Sequence, residues 1–312
     1  MPAELPPYSV VIPVFNGERY VRRAVASAAA QTVPAAEILV VDDGSTDASA
    51  DLAGGHPGVR VLRHAANRGL SAARNTGIAA AATGIVALLD SDDAWDADKM
   101  ARQLPVFAAR PDVAVVFCDF RAVNVRGEKV GWQGGTRDRV AKLGLTFEPA
   151  AGDASILVGS TTEALIRETS FIHPSSIVVR HAAFAAAGPF DVSYRYAEDL
   201  EMWLRLSAVG RTAYVDRNLV TIEVRPDSLG HQTAKMAKHL TDLYATLPAR
   251  FPDATHETKR AVAAFLQREC AGLAWHYREA GDRPLARDYY RRSLAAGWSL
   301  RTFLGYLRSY TG

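Results

Sequence analysis

Hydrophobic positions in the first 120 residues fall into short continuous runs. YSVVIPV at 8–14, EILVV at 37–41, VRVL at 59–62, IVALL at 85–89 and VAVVFCDF at 113–120 lack polar alternation. That is the pattern of strands buried on both faces of a sheet. Between them, residues 18–30 place apolar or small side chains at Val21, Ala24, Val25, Ala28 and Ala29, and 70–82 and 99–110 read as further helices. Strands alternating with helices predict βαβ units, a mostly parallel central sheet flanked by helices and the α/β class. From 124 to 170 Gly, Arg and Thr break the pattern, and loops with short strands or helices are expected. Order returns at SSIVVR (175–180), then a helix over HAAFAAAG that Gly188 and Pro189 stop. An amphipathic helix over 198–209 and one or two strands over 212–224 come next. Everything from 232 onward is helical in pattern, so we place a boundary near 230: an α/β domain over 1–230 and an all-α region over 231–312.

Within that last region Leu273, Ala274, Tyr277, Gly281, Ala286 and Tyr290 are spaced as in one tetratricopeptide-like hairpin, or in a generic helical hairpin packed by small and aromatic residues. One such unit cannot bury its own face and is expected to dock on a neighbour. Arg283, Arg287, Arg291, Arg292, Arg301 and Arg308 form either a solvated face or a peripheral contact with acidic headgroups.

Bulk composition narrows the class. A formal net charge of +2 over 312 residues argues against a general nucleic-acid binder, and no apolar run approaches the roughly 20 residues of a membrane span. The opening MPAELPPYSVVIP has neither the basic nor the apolar region of a secretion signal. Cys118 and Cys270 sit in apolar surroundings and read as buried thiols of a reducing compartment, so a cytoplasmic location is expected.

In open parallel sheets ligands bind beyond the carboxyl ends of the strands, and the polar segments here fall at such ends. LLDSDDAW at 88–95 delivers Asp90, Asp92 and Asp93 into one loop. Such acids repel one another unless a cation sits on them, and Mg²⁺ is usually held by one or two carboxylates plus substrate phosphates; an acidic helix cap is the plainer alternative. In IPVFNGE (12–18), Pro13 and Phe15 offer backbone groups and a ring face to a flat base, though Asn16 and Gly17 also suit an ordinary turn. In VVDDGSTD (40–47), Asp42 and Asp43 end a buried strand, where a carboxylate can accept an imide N–H or a ribose hydroxyl. In NRGLSAARNTGI (67–78), Arg68 and Arg74 suit bidentate phosphate contacts and Asn75 lies one turn into a helix.

IPVFNGERYVRRAVAS, VVDDGSTD, NRGLSAARNTGI and LLDSDDAW, in this order and spacing, resemble glycosyltransferase family 2 over about residues 8 to 230. The resemblance implies the GT-A fold, a nucleotide-diphosphate sugar donor (UDP most favoured), Mg²⁺ or Mn²⁺, and inversion at the anomeric centre. It places Pro13, Phe15, Glu18, Asp42, Asp43, Arg68, Arg74, Asn75, Asp90, Ser91 and Asp92 at the nucleotide, and Asp92, Asp93 and His231 at the metal. RYAEDLEMWLRL at 195–206 resembles the family's Glu-Asp motif, making Asp199 the general base beside Glu198, with Trp203 following. FIHPSSIVVR and EVRPDSLGHQ add His173, Arg225 and Ser228 toward acceptor or phosphate. The implied acceptor is a glycan, a lipid-linked glycan or a small molecule, in a cytoplasmic enzyme of polysaccharide or glycoconjugate synthesis that is free or peripheral on the inner membrane face. Two other classes share some of these features: a nucleotidyltransferase, which needs a Gly-rich triphosphate loop that 12–20 does not supply, and a non-catalytic nucleotide-sugar-binding or interaction protein.

Overall fold

A computed structural model describes residues 4–130, 135–168, 171–224 and 233–310. The chain forms two compact units, Met1–Arg225 and Pro226–Gly312.

The first unit is built on a ten-stranded sheet. Its chain order is β1 (Tyr8–Val14), α1 (Val21–Ala29), β2 (Glu37–Asp42), α2 (Ser49–Gly54), β3 (Val59–Arg63), α3 (Leu70–Ala80), β4 (Ile85–Leu88), β5 (Ala94–Trp95), α4 (Lys99–Ala109) and β6 (Val113–Val123). Then come α5 (Thr136–Leu143), β7 (Thr146–Pro149), β8 (Ala154–Val158), α6 (Thr161–Arg167), a 3₁₀ turn at Pro174–Ser176, β9 (Val178–Arg180), α7 (His181–Ala187), α8 (Glu198–Ser207) and β10 (Arg211–Glu223). The strands lie in the order β3-β2-β1-β4-β9-β6-β10-β8-β7, with β5 paired to β10.

The continuous apolar runs become the central strands because both faces are covered. Tyr8, Val10, Ile12 and Val14 of β1 join Val21, Ala24, Val25 and Ala28 of α1 in one core. The opposite face of β1 carries α3, which seats so closely that a Cβ on Gly77 would lie 2.3 Å from Val11 Cγ1 and 3.1 Å from Val41 Cγ2. Gly77→Ala is expected to lower stability. Overpacking a core costs about 1–3 kcal/mol, and a separation this far inside van der Waals contact belongs at the upper end, outweighing the ~1 kcal/mol Ala gains over Gly in a helix. A Tm about 4–8 °C lower is expected from a net ~2 kcal/mol; an unchanged Tm by calorimetry would mean that α3 does not approach β1 this closely.

The expected α/β sheet with a C-terminal helical extension is the architecture observed, and one detail differs: the sheet is mixed. β9 is antiparallel to both β4 and β6, and β8 and β5 run against β10. Three-residue β9 and two-residue β5 are too short to leave a periodic signature. The pairing of β5 with Val220 and Thr221 of β10 strings the acidic loop between two fixed points of the sheet, the end of β4 and the C-terminal part of β10.

The second unit contains α9 (Thr233–Arg250), α10 (His256–Glu279), α11 (Arg283–Ala296) and α12 (Leu300–Arg308). α10 and α11 form a hairpin that turns at Gly281 (φ 83°) and buries Leu273, Ala274, Tyr289 and Tyr290, with Tyr277 stacked on Tyr289 at 5.5 Å. No helix among the described residues is long and apolar enough to cross a membrane.

Candidate active site

The carboxyl ends of β1, β2 and β4 bring the sequence-predicted polar segments to one edge of the sheet, as parallel βα connections require. Asp90, Asp93 and His173 each offer a ligand atom, and the three atoms lie within 4.8 Å of one another. Two carboxylates and an imidazole at that separation can surround one divalent cation. Burial first, then the charges of Asp92 and Asp90, push the Asp93 carboxyl well above the usual carboxylate range. A cation placed there would reverse that shift, so the donor set fits a metal. Burial lowers His173 to about 4, which keeps the imidazole neutral and able to donate a lone pair.

Asp90 and Asp93 come from the acidic loop expected to hold the metal, and His173 joins them; His231 lies outside the described residues, as do Arg225 and Ser228. The Asp92 backbone oxygen accepts from Arg23 Nη2 at 2.5 Å, while Arg23 Nη1 reaches Glu223 at 2.8 Å.

Ser175, which none of the sequence motifs singles out, organises this cluster. Its hydroxyl donates to Asp93 Oδ2 at 2.5 Å and accepts from the Asp90 N–H at 3.0 Å, and its carbonyl accepts from Trp95 Nε1 at 2.7 Å. Beneath Trp95 the buried ammonium of Lys99 lies 4.1 Å from the ring centroid, and burial lowers that lysine to about 8. The available signal is the pair of serines directly after His173-Pro174, since hydroxyls next to a turn often tie down neighbouring loops.

Arg74 links the cluster to the Glu-Asp motif. Its guanidinium is 1% exposed, with Nη2 2.9 Å from Asp90 Oδ1 and Nη1 2.9 Å from Glu198 Oε1. Burial, then the neighbouring Asp199 charge, raises Glu198 to about 7 in spite of Arg74. Asp199 is half-buried and its carboxyl is also raised, by burial first and by the Asp90 charge, against the Leu200 N–H that its Oδ1 accepts at 2.7 Å. Both acids follow Ala197, whose φ of 60° puts a methyl-bearing residue in the left-handed region at the start of α8. Strain of that kind persists only where surrounding structure holds it, and it clusters at functional sites.

The nucleotide set divides. Phe15 is 48% exposed and Arg68 is exposed, whereas Pro13 is buried in β1. Asp43 is buried and its carboxylate already accepts three hydrogen bonds, from His64 Nδ1 (2.7 Å), Arg68 N (2.9 Å) and Gly69 N (2.8 Å). A carboxylate has about four acceptor positions, so one remains. Asp42 accepts from Ser45 N at 3.0 Å and lies 2.9 Å from Arg63 Nε. Glu18 accepts from the Ala48 N–H, which ties the first loop to the second. Ser91 is half-buried within the acidic loop.

Two of the expected residues are engaged within the protein. The Asn75 amide donates to Phe190 O at 2.8 Å and accepts from Phe190 N at 2.7 Å, clamping that backbone. Trp203 lies in the core. It is 2% exposed, donates from Nε1 to Ile172 O at 3.1 Å and packs on Phe190. α8 is buried nearly all round, so following Asp199 by one turn places Trp203 in the core.

Comparison with known proteins shows the family and the fold. Residues 9–173 match the family described as "Glycosyl transferase family 2". The chain is 32% identical over 220 residues to the pre-mycofactocin glycosyltransferase of Mycobacterium tuberculosis, covering 70% of this chain and 43% of that one. It is 23% identical over 274 residues to a glycosyltransferase of Rickettsia prowazekii, covering 84% and 80%. Among solved structures it resembles the mannosyltransferase PcManGT of Pyrobaculum calidifontis, in complex with GDP-Man and Mn²⁺, with a TM-score of 0.63, 19% identity and coverage of 99% and 81%. It also resembles S. aureus TarS 1–349 in complex with UDP-GlcNAc, with a TM-score of 0.52, 16% identity and coverage of 93% and 91%. At these identities the structural likeness is one of fold.

Proposed function

Because the chain belongs to glycosyltransferase family 2, we propose that it is an inverting glycosyltransferase that moves a sugar from a nucleotide-diphosphate donor, UDP-linked, to a hydroxyl acceptor. The observation that carries this reading is the cluster of Asp90, Asp93 and His173, tied to the Glu198–Asp199 pair through the buried Arg74 that bridges Asp90 and Glu198. That arrangement pairs a cation site for a diphosphate with a carboxylate able to take a proton.

The residues divide the work. Phe15 presents a ring face to the base, and Asp43, held by His64 and the 68–69 backbone, offers its remaining lone pair to an imide N–H. Arg68, which is exposed, would meet phosphate. Asp90, Asp93 and His173 would hold Mg²⁺ or Mn²⁺, which when bound supplies Lewis-acid stabilisation of charge on the departing diphosphate. Ser175 fixes the orientation of Asp93 and of the Asp90 backbone. Asp199 takes the proton from the acceptor hydroxyl as it attacks the anomeric carbon from the face opposite the leaving group. Glu198, locked on Arg74, orients α8's first turn. The acceptor is a glycan, a lipid-linked glycan or a small molecule.

Thermal stability against a panel of nucleotides and nucleotide sugars tests the donor site, since a ligand that binds only the folded state raises Tm by linkage. A rise with UDP or a UDP-sugar in the presence of Mn²⁺, abolished by EDTA, is expected; at 100 times Kd the gain is about 2.7 kcal/mol. A rise with GDP or dTDP alone would reassign the base, and no rise with any nucleotide would favour a domain that has lost its donor.

A further inference from the structure

Helix α12 is folded inside out. Its buried positions are the small or polar Thr302 and Gly305, with Ser309 just beyond, whereas Leu300, Phe303, Leu304 and Leu307 are 57%, 38%, 43% and 46% exposed. At 3.6 residues per turn these four large side chains share one arc, opposite the arc of small ones. A helix recruited only to fill a core shows the reverse. The small residues let α12 sit tightly on α11: a Cβ on Gly305 would lie 2.8 Å from the Tyr290 ring. The large residues have no such role.

What borders the arc identifies its occupant. Arg301 and Arg308, seven residues apart and exposed, run along one margin, and Tyr306 and Tyr310, ring centroids 5.3 Å apart, run along the other. Trp298, 72% exposed, precedes the helix, and the Arg287 guanidinium lies 4.8 Å from the Tyr310 ring. The sequence from 289 to 312 contains no Asp or Glu. An apolar arc with arginine on one edge and aromatic rings at the rim matches a helix lying in the plane of a membrane interface. An antiparallel second copy of the same face would set arginine rims against each other, and a parallel one would set arginines against tyrosines; neither brings an acid from 289–312 to neutralise them, whereas anionic headgroups supply the missing charge.

We propose that α12 docks this chain on the anionic surface of a lipid bilayer, with Leu300, Phe303, Leu304 and Leu307 in the acyl boundary and Arg301 and Arg308 at the headgroups. The assignment is independent of the catalytic reading, because the test needs no donor. Full-length protein is sedimented with large vesicles of phosphatidylcholine alone or with phosphatidylglycerol added. Binding is expected to the anionic vesicles, weaker to the zwitterionic ones, and weaker again at high salt. Leu304→Glu combined with Leu307→Glu should abolish it. Arg301→Gln combined with Arg308→Gln should weaken it about 25-fold, roughly fivefold for each arginine. All four side chains are exposed, so circular dichroism and Tm should not change. Absence of binding to anionic vesicles overturns the proposal, as does binding that the double-Glu variant retains. A dimer in sedimentation equilibrium that the same variant converts to monomer would assign the face to a second copy and also overturn it.

Discussion

Asp199→Asn is expected to lower turnover by about 10²–10⁴-fold, the range a positioned general base contributes, while nucleotide-sugar binding changes little. The substitution keeps size and keeps an oxygen able to accept the Leu200 N–H that Oδ1 now accepts at 2.7 Å. What it removes is a group that can carry away the acceptor's proton. The same assignment has a pH consequence. Asp199 works as a base only when ionised, so transfer falls as pH drops through its pKa. Burial and the Asp90 charge raise that pKa, so the acid limb of kcat/KM should lie above the ordinary carboxylate range and vanish in the asparagine variant. Steady-state kinetics on any accepted donor and acceptor pair would decide the matter: near-normal turnover in Asp199→Asn would show that the proton leaves by another route.

The largest effect on stability is expected at Arg74. Arg74→Leu leaves Asp90 and Glu198 facing each other across the space of a guanidinium that is 1% exposed. Breaking a buried ion pair by removing one partner costs about 3–5 kcal/mol, equivalent to a Tm about 6–20 °C lower in a unit of this size. The sign of the pH dependence comes from Glu198, which already titrates at about 7 with Arg74 present, above its ordinary value of 4.5. A carboxyl raised by folding keeps its proton longer in the native state, so stability from this group falls as pH rises from about 4.5 to about 7. Without Arg74 the rise is larger, and the variant's deficit should be smaller at about pH 5 than at about pH 8. Calorimetry at both values checks it; equal Tm for variant and parent on the alkaline side would mean that Arg74 does not bridge the two acids.

Part of this arrangement is legible in the sequence, and the rest is hidden for identifiable reasons. β1, β2 and β4 are readable because strands covered on both faces are apolar throughout, and the acidic loop because Asp90, Asp92 and Asp93 so close together demand a partner. β9 is hidden because a strand this short carries no period. Its insertion between β4 and β6 is what brings Ser175 and His173 beside the loop. Ser175 and Arg23 leave no local signal because their partners, Asp93, the Asp90 N–H and the Asp92 carbonyl, lie more than 60 residues away. Asn75 and Trp203 have contacts the sequence does not announce. Their neighbours along the helix are Arg74 and Asp199, but tertiary packing turns both toward Phe190. His173 is visible as a polar residue before a strand, and only the folded chain sets it beside Asp90 and Asp93.

The stacking of Lys99, Trp95 and Ser175 behind the acidic loop gives the protein an optical property. The Trp95 indole N–H ends on the carbonyl of the same serine whose hydroxyl holds Asp93, and the Lys99 ammonium lies over its ring. Indole emission responds to nearby charge and to the hydrogen bond at Nε1, so this chromophore sits two contacts from the carboxylate. The chain has five tryptophans, and subtracting the spectrum of a Trp95→Phe variant isolates this one. If the proposed cation site is right, intrinsic fluorescence is expected to follow its filling in real time, without a label and before any acceptor is identified.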